Sequence, residues 1–143
     1  MMEHRDTIPA VCPLTQSQLG VYLECLNDPT SMKYNIIVLC RLPENTVLSR
    51  IAEAVRVAAN NHPALRVHCG TPGGVPSMIL GDGDIHVTVR DVDDIEAASR
   101  TVARPFDLEK GPLCRLEVCR DPSGRLYLLF DMHHIIFDGT SIP

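Results

Sequence analysis

Two adjacent histidines close to the C-terminal end of the chain are the residues best suited to chemistry. His133 and His134 follow an apolar stretch, and Asp138 and Gly139 follow four and five residues after His134. The unperturbed pKa of histidine, about 6.5, lets it exchange protons near neutral pH, which suits acyl transfer from a thioester to an amine or alcohol. A general base contributes roughly 10²- to 10⁴-fold in rate. The alternative role is to orient the amine and stabilise charge in the tetrahedral intermediate.

The position of the pair on a predicted strand separates the two rings. Neighbouring residues of a strand point to opposite faces, so His133 and His134 cannot both enter one cleft. One histidine is therefore expected to be structural and the other available. Gly139 permits a backbone conformation denied to other residues, and the Asp138 carboxylate can fold back to hold the loop.

A structural role and a metal-binding role for the pair also have to be considered. A His-His pair at a strand end is often a hydrogen-bonded structural pair, because buried polar groups are normally satisfied. His133, His134 and Asp138 are also metal-ligand types, but opposite-facing neighbours make poor joint ligands and a third convergent ligand is not evident. We therefore expect no metal site.

The histidines must be carried by the last strand of the chain. Residues 126–132 are nearly all apolar, which predicts a central strand covered on both faces. Residues 113–119 form its expected partner across a turn at 121–124. Further strands are expected at residues 34–42, largely buried, at 85–89, and at 65–69 and 76–80, which form a hairpin.

Three helices are expected between these strands. The first begins at Thr15, with Gln18 as the reciprocal capping residue, and ends near residues 27–29. The second begins at a cap near Asn45 or Thr46 and stops before a proline. The third begins at Asp93, which forms a predicted capping box with Glu96. The mixture predicts an α/β (α+β) layered sandwich with a mixed sheet flanked by helices.

The composition excludes several classes of function. The net charge of −5, with 13 Lys and Arg residues that form no stripe, argues against nucleic acid as a partner. The six cysteines contain no C-x-x-C pair and lie mostly in apolar runs, which predicts buried free thiols in a reduced cytosol. No signal peptide and no apolar run near the ~20 residues of a membrane span is evident. We expect a cytoplasmic protein with no membrane partner.

Several stretches of the chain resemble one family in the same order. Residues 132–141, Met-His-His-Ile-Ile-Phe-Asp-Gly-Thr-Ser, resemble the His-His-x-x-x-Asp-Gly motif of condensation domains of nonribosomal peptide synthetases, in the chloramphenicol acetyltransferase-like superfamily. Residues 13–22 and 61–66 resemble the family's first and second core motifs, and 104–108 resembles a signature before the active-site strand. Residues 34–36, Tyr-Asn-Ile, lie where the family often carries a similar tripeptide.

The resemblance implies a role for each residue of the site. His134 would face the channel and assist attack of an acceptor amine on a donor thioester, while His133 would pack behind it. Asp138 would be structural, and Gly139 would bring its backbone close to the reaction centre. Arg66 would be a buried structural charge near this loop, although a solvated arginine at a strand end is the alternative.

The resemblance also implies partners and an incomplete domain. Domains of the family are longer than this chain and have two similar lobes, so residues 1–143 would be the N-terminal lobe, truncated after the active-site motif. Donor and acceptor carrier proteins would deliver substrates on 4′-phosphopantetheine arms, with no cofactor bound directly. The missing C-terminal lobe and downstream synthetase domains would be further partners. We expect the isolated lobe to be inactive.

Two alternatives to amide formation keep the same resemblance. Related domains carry out epimerisation, or acyl transfer to an alcohol or to coenzyme A, with the same histidine motif. A non-catalytic lobe that only docks carrier proteins is the third possibility.

Overall fold

The computed structural model describes residues 10–81 and 85–137. Within these ranges the chain forms three α-helices and seven β-strands, in the order β1 α1 β2 α2 β3 β4 β5 α3 β6 β7. The helices are α1 (Gln16–Asn27), α2 (Leu48–Asn61) and α3 (Ile95–Thr101). The strands are β1 (Val11–Pro13), β2 (Asn35–Arg41), β3 (Val67–Gly70), β4 (Ser77–Leu80), β5 (Val87–Asp91), β6 (Cys114–Arg120) and β7 (Leu126–His133).

The larger sheet carries the histidine strand in its interior. Its strand order is β2-β7-β6-β5. β7 pairs antiparallel with β2 and β6, whereas β5 pairs parallel with β6. The predicted mixed sheet with flanking helices is confirmed, and so is the central position of the last strand.

Helices cover both faces of this sheet. On one face Val55 of α2 packs in a cluster with Leu116 and Met132. On the other face Val102, which follows α3, packs with Leu129. Alternation along β7 thus gives each face its own apolar cluster, as expected of an interior strand.

The strand predicted at residues 34–42 is present as β2, but the expectation that it is largely buried is wrong, because residues 35–38 are half-buried and residues 39–41 are exposed. Among the strands of residues 10–81 and 85–137, β2 lies at the edge of the sheet and has one hydrogen-bonded neighbour, β7. Leu39 and Cys40 are exposed. A run of apolar residues predicts strand structure, but it does not distinguish an edge strand from an interior one.

A second, three-stranded sheet has the order β1-β4-β3. The predicted hairpin of β3 and β4 is confirmed, with Cys69 opposite Met78. The predicted start of β3 is wrong, because residues Pro63–Arg66 form a short 3₁₀ helix that begins at a proline. β1 was not predicted, because its three residues are exposed and show no alternation of apolar and polar side chains.

The helix caps show which of the three helix starts could be predicted from adjacent residues. The capping box of α1 is confirmed: the Gln18 N–H donates to Thr15 Oγ1 (3.2 Å) and the Thr15 N–H donates to Gln18 Oε1 (3.0 Å). The predicted cap of α2 is wrong, because Val47 occupies the cap position without a side-chain bond. The predicted cap of α3 is one residue early, because Asp94 accepts from the N–H of Glu96 (2.9 Å).

The six thiols are all unpaired, but they divide by environment. Three are buried, namely Cys69, Cys114 and Cys119, whereas Cys12 and Cys40 are exposed. The expectation of mostly buried thiols therefore holds for half of them. None of the helices in the described ranges is long and apolar enough to cross a membrane.

Candidate functional site

The two histidines at the end of β7 occupy different environments. His133 is 4% exposed and lies on the same face as Asp131, two residues earlier. His134 is exposed and lies just beyond the last residue of the strand. Strand alternation predicts this separation, and the structure agrees with it.

The His133 ring is enclosed by three side chains. Its Nε2 lies 3.6 Å from Cys25 Sγ. Its ring centroid is 5.8 Å from that of Phe106, edge to face, and 6.0 Å from that of Tyr34. Burial lowers the pKa of His133 to about 4, and the nearby His134 makes a smaller contribution in the same direction. His133 is therefore neutral at pH 7, which suits a supporting ring rather than one that exchanges protons.

The backbone around His134 is fixed from several sides. The His134 N–H donates to Tyr34 O (2.8 Å). The next N–H, that of Ile135, donates to Nδ1 of His133 (3.2 Å). Gln18 Nε2 donates to Ile135 O (3.1 Å). His134 is thus an exposed side chain on a backbone held by the residue before β2, by the His133 ring and by Gln18 of α1.

Gln18 links the first and last motifs of the chain. Sequence reasoning assigned it to helix capping, which its Oε1 performs at Thr15. Its amide nitrogen also holds the residue after His134. A side chain with both an acceptor and two donors can serve two such partners, but no sequence pattern indicated the second one.

His134 lies on the wall of a groove of about 760 Å³. The wall is mainly apolar and is drawn from β1, α1 and its cap, the 3₁₀ helix before β3, both strands of the hairpin and the segment after β7. Its members other than His134 are Cys12, Pro13, Thr15, Ser17, Gln18, Val21, Pro63, Ala64, Val67, Met78, Leu80, Ile135, Ile136 and Phe137. An apolar wall with one imidazole and few other polar groups is typical of small-molecule sites.

Arg66 matches neither of the two environments predicted for it. It is half-buried, and its Nε donates to Ala59 O (3.0 Å) near the end of α2. It is therefore neither fully buried nor a solvated strand-end arginine, since it belongs to the 3₁₀ helix before β3. The predicted site residues Asp138 and Gly139 lie outside the described residues, so their roles stay predictions.

A buried ion pair beside the histidines was missed from the sequence. Asp131 is fully buried and its Oδ2 lies 2.8 Å from Arg115 Nη1. Asn35 Nδ2 donates to both carboxylate oxygens of Asp131, at 3.0 and 3.2 Å. Burial raises the pKa of Asp131, while Arg115 and Asn35 act against that rise. The available signal was a single charged residue within the otherwise apolar run 126–132.

The part of the chain that the structure describes contains no cluster of potential metal ligands. Across residues 10–81 and 85–137, no three His, Cys, Asp or Glu side chains lie close enough to hold an ion. What the described arrangement offers is one accessible imidazole beside an apolar groove. Such a ring can accept or donate a proton, or hold a nucleophile in place.

Comparison with known proteins identifies the family. The model of the family described as "Condensation domain" matches residues 9–143. Surfactin synthase subunit 2 of Bacillus subtilis (strain 168) is 30% identical over 132 residues, covering 90% of this chain and 4% of that protein. Gramicidin S synthase 2 of Aneurinibacillus migulanus is 28% identical over 133 residues, covering 91% of this chain and 3% of that protein. The chain thus spans a small part of the curated relatives it matches.

Solved structures share the fold. The starter condensation domain of rhizomide synthetase matches with a TM-score of 0.79 at 21% identity, over 92% of this chain and 34% of that one. The first condensation domain of the CDA synthetase matches with a TM-score of 0.78 at 21% identity, over 92% of this chain and 36% of that one.

Proposed function

The chain belongs to the condensation domain family, and on that premise we propose that its parent protein forms amide bonds within a nonribosomal peptide synthetase. The substrates are acyl or aminoacyl thioesters carried on 4′-phosphopantetheine arms, which donor and acceptor carrier proteins deliver. The relatives named above, the synthases of surfactin and gramicidin S, support this substrate class.

The reaction needs one proton to be moved. The acceptor amine attacks the carbonyl carbon of the donor thioester, and a C–N bond forms. The tetrahedral intermediate then loses the donor thiolate as the C–S bond breaks. The proton released by the amine nitrogen passes to the departing sulfur, so that the products are an amide and a free thiol.

His134 is the residue we assign to the reacting amine. The single observation that carries this proposal is its exposed ring on the groove wall, presented from a backbone that is bound on several sides. In this role the imidazole orients the amine and accepts its proton, or stabilises charge in the intermediate. His133 supports it from behind as a neutral ring.

Asp138 and Gly139 complete the proposed site. Asp138 would brace the loop after the histidines, and Gly139 would bring its backbone close to the reacting carbonyl. Arg66 is proposed as a structural support, consistent with its bond to the end of α2. These assignments follow the family's motif.

We further propose that residues 1–143 form the N-terminal lobe of a two-lobed condensation domain. The chain covers 34% and 36% of the condensation domain chains described above, which supports a lobe-sized unit. The C-terminal lobe and downstream synthetase domains would then be its partners within the parent.

The type of bond formed tests the proposal. The parent protein, given a donor carrier loaded with an acyl thioester, is offered an amine-bearing acceptor carrier, an alcohol acceptor or coenzyme A. We expect product with the amine acceptor, detected as a mass increase on the acceptor carrier. Faster transfer to the alcohol or to coenzyme A would contradict amide formation in favour of a related acyl transfer. Inversion of the aminoacyl centre without transfer would identify an epimerase.

A further inference from the structure

A cluster of one ion pair and one amide side chain lies on the larger sheet, next to the end of β7 that carries the histidines. We call Asp131, Arg115 and Asn35 the Asp131 cluster. Its members come from the three adjacent strands β7, β6 and β2, and in the antiparallel pairing Arg115 lies opposite Asp131 and Asn35 lies opposite His133. The cluster therefore joins the strand end to both neighbouring strands.

The cluster also fixes the loop that covers His133. Arg115 donates to Arg104 O (2.9 Å) and to Pro105 O (2.7 Å). Asn35 Nδ2 donates to the same Arg104 carbonyl (2.9 Å). The guanidinium carbon of Arg115 lies 3.8 Å from the ring centroid of Phe106.

Phe106 passes this constraint to the histidine pair. Its ring meets the His133 ring edge to face at 5.8 Å. His133 in turn accepts from the N–H of Ile135, the residue after His134. A continuous set of contacts thus runs from Asp131 through Arg115, Phe106 and His133 to the backbone that presents His134.

A buried ion pair such as that of Asp131 and Arg115 is weak evidence for a stabilising role. Removing a carboxylate and a guanidinium from water is costly, and replacing a buried ion pair with apolar side chains is often neutral or stabilising. The Asp131 carboxylate is fully buried and the Arg115 side chain is 24% exposed. Ion pairs and bidentate hydrogen bonds differ from apolar contacts in that they define direction and distance. Their presence at this strand end indicates that the positions of the strand end and of the neighbouring loop have to be fixed.

We propose that Asp131, Arg115 and Asn35 are positioning residues that set the orientation of His134 for amide formation. The inference rests on the proposed function, because it concerns the reaction in which His134 takes part. None of the three lines the groove beside His134. They act through the strand end, the loop at residues 104–106 and the His133 ring.

The expected cost of losing the cluster falls on the chemical step. A displacement of about 1 Å in a catalytic group can lower the rate about 10²-fold even when substrate binding is unchanged. Apolar replacements of Asp131 and Arg115 would keep β7 in the sheet, but they would remove the donors from Arg115 to the Arg104 and Pro105 carbonyls and the contact with the Phe106 ring. The turnover number should then fall while the KM for the acceptor carrier stays close to its original value.

The decisive variant replaces both charges. In the parent protein, Asp131→Val together with Arg115→Met leaves no buried charge unpaired, and the Arg104 carbonyl keeps its bond from Asn35. We expect a melting temperature close to that of the wild type, a kcat lowered roughly 10- to 100-fold and a KM within about twofold. A folded double variant with wild-type kcat would overturn the inference.

A second Arg–Asp pair, between β6 and β5, provides the matched control. Arg120 Nε lies 2.7 Å from Asp91 Oδ1 at the other end of β6, where both side chains are substantially exposed. The corresponding double change, Arg120→Met with Asp91→Val, should leave kcat and KM unchanged. An equal loss of kcat in this control would show a general effect of altering β6 and would overturn the assignment.

Two further measurements keep the test decisive. If the Asp131 double variant does not fold, Asn35→Ala removes only the bonds from Asn35 Nδ2 and retains the ion pair. We expect kcat to fall about 3- to 10-fold, and an unchanged kcat would overturn the inference. His134→Ala serves as the reference: if it is as active as the wild type, the proposed function fails, whereas an inactive His134→Ala with a fully active cluster variant refutes positioning alone.

Discussion

His133 and His134 differ in what surrounds each ring. The His133 ring is enclosed by Cys25, Tyr34 and Phe106, and burial lowers its pKa to about 4. Its Nδ1 accepts a hydrogen bond, so the remaining proton of the neutral ring lies on Nε2. Protonating His133 would remove the acceptor for the Ile135 N–H and weaken the loop that follows His134.

This difference makes a prediction about pH and stability. In the unfolded chain the pKa of a histidine is about 6.5, so below that pH the unfolded state binds a proton that the folded state refuses. The His133 contribution to stability is fully present above pH 6.5 and is lost as the pH falls from 6.5 through about 4. The free energy of unfolding should fall by up to about 1.4 kcal/mol per pH unit in that window.

Denaturant titrations of the wild type and of His133→Asn check this prediction. The asparagine keeps an acceptor near the Ile135 N–H but does not titrate. Carboxylates common to both proteins cancel in the comparison, so the difference between the two stability curves isolates His133. Parallel curves between pH 4 and pH 6.5 would contradict a buried, neutral His133.

Single residues also show what sequence reasoning can and cannot reach. The opposite placement of His133 and His134 followed from strand alternation, because alternation depends on backbone geometry alone. The second partner of Gln18 and the Asp131 ion pair did not follow. Each joins residues far apart in the chain, 117 positions for Gln18 and Ile135 and 16 for Arg115 and Asp131. The Arg115–Asp131 pair depends on the register of β6 and β7, and the Gln18–Ile135 bond depends on how α1 packs against the segment after β7; no local pattern supplies either.

Among the strands, the position within the sheet determines how much each residue contributes. β7 lies between two neighbours, and Leu129 at its centre is 0% exposed. Leu39, directly across from Leu129 on the edge strand β2, is 37% exposed. The two leucines of this cross-strand pair therefore lie in different environments, Leu129 buried and Leu39 exposed.

This pair makes a prediction with an internal control. Leu129→Ala removes a fully buried side chain packed with Val102, and we expect it to lower the free energy of unfolding by about 2–5 kcal/mol. Leu39→Ala should lower it by less than about 1 kcal/mol, because much of that side chain remains in water. Thermal or denaturant unfolding measures both values. Similar losses in the two variants would contradict the edge position of β2.

Local signals predicted the elements better than their boundaries. The capping box at Thr15, the turn before β7 and the hairpin of β3 and β4 each depend on a few adjacent residues, and all three are present. The start of α2 was misplaced because no side chain caps it. The third strand of the small sheet, β1, was missed because its three exposed residues show no alternation and pair with β4, which is far away in the chain.

At the scale of the whole molecule, His134 lies on a groove whose wall is mainly apolar. In the proposed arrangement a second lobe completes the channel and the carrier proteins approach it with their loaded arms. The size of the chain relative to the solved condensation domains supports this arrangement. The opposing wall of the channel would then come from outside residues 1–143.

The proposed lobe structure predicts the behaviour of the chain on its own. Incubated with loaded donor and acceptor carriers, the 143-residue chain should release no amide product above the uncatalysed background. The full parent under the same conditions should turn over, because in the proposed two-lobed arrangement it would supply both walls of the channel. Turnover by the chain alone, at a rate near that of the parent, would contradict the two-lobed proposal.

The central claim is that His134 carries amide formation in the parent protein. A single-turnover assay, with donor and acceptor carriers loaded and the acceptor carrier weighed by intact-protein mass spectrometry, tests it most directly. We expect His134→Ala to lower the rate of mass gain on the acceptor by at least about 10²-fold, while His86→Ala, at an exposed histidine just before β5, leaves it unchanged. Wild-type rates of mass gain in His134→Ala would contradict a catalytic role for this histidine.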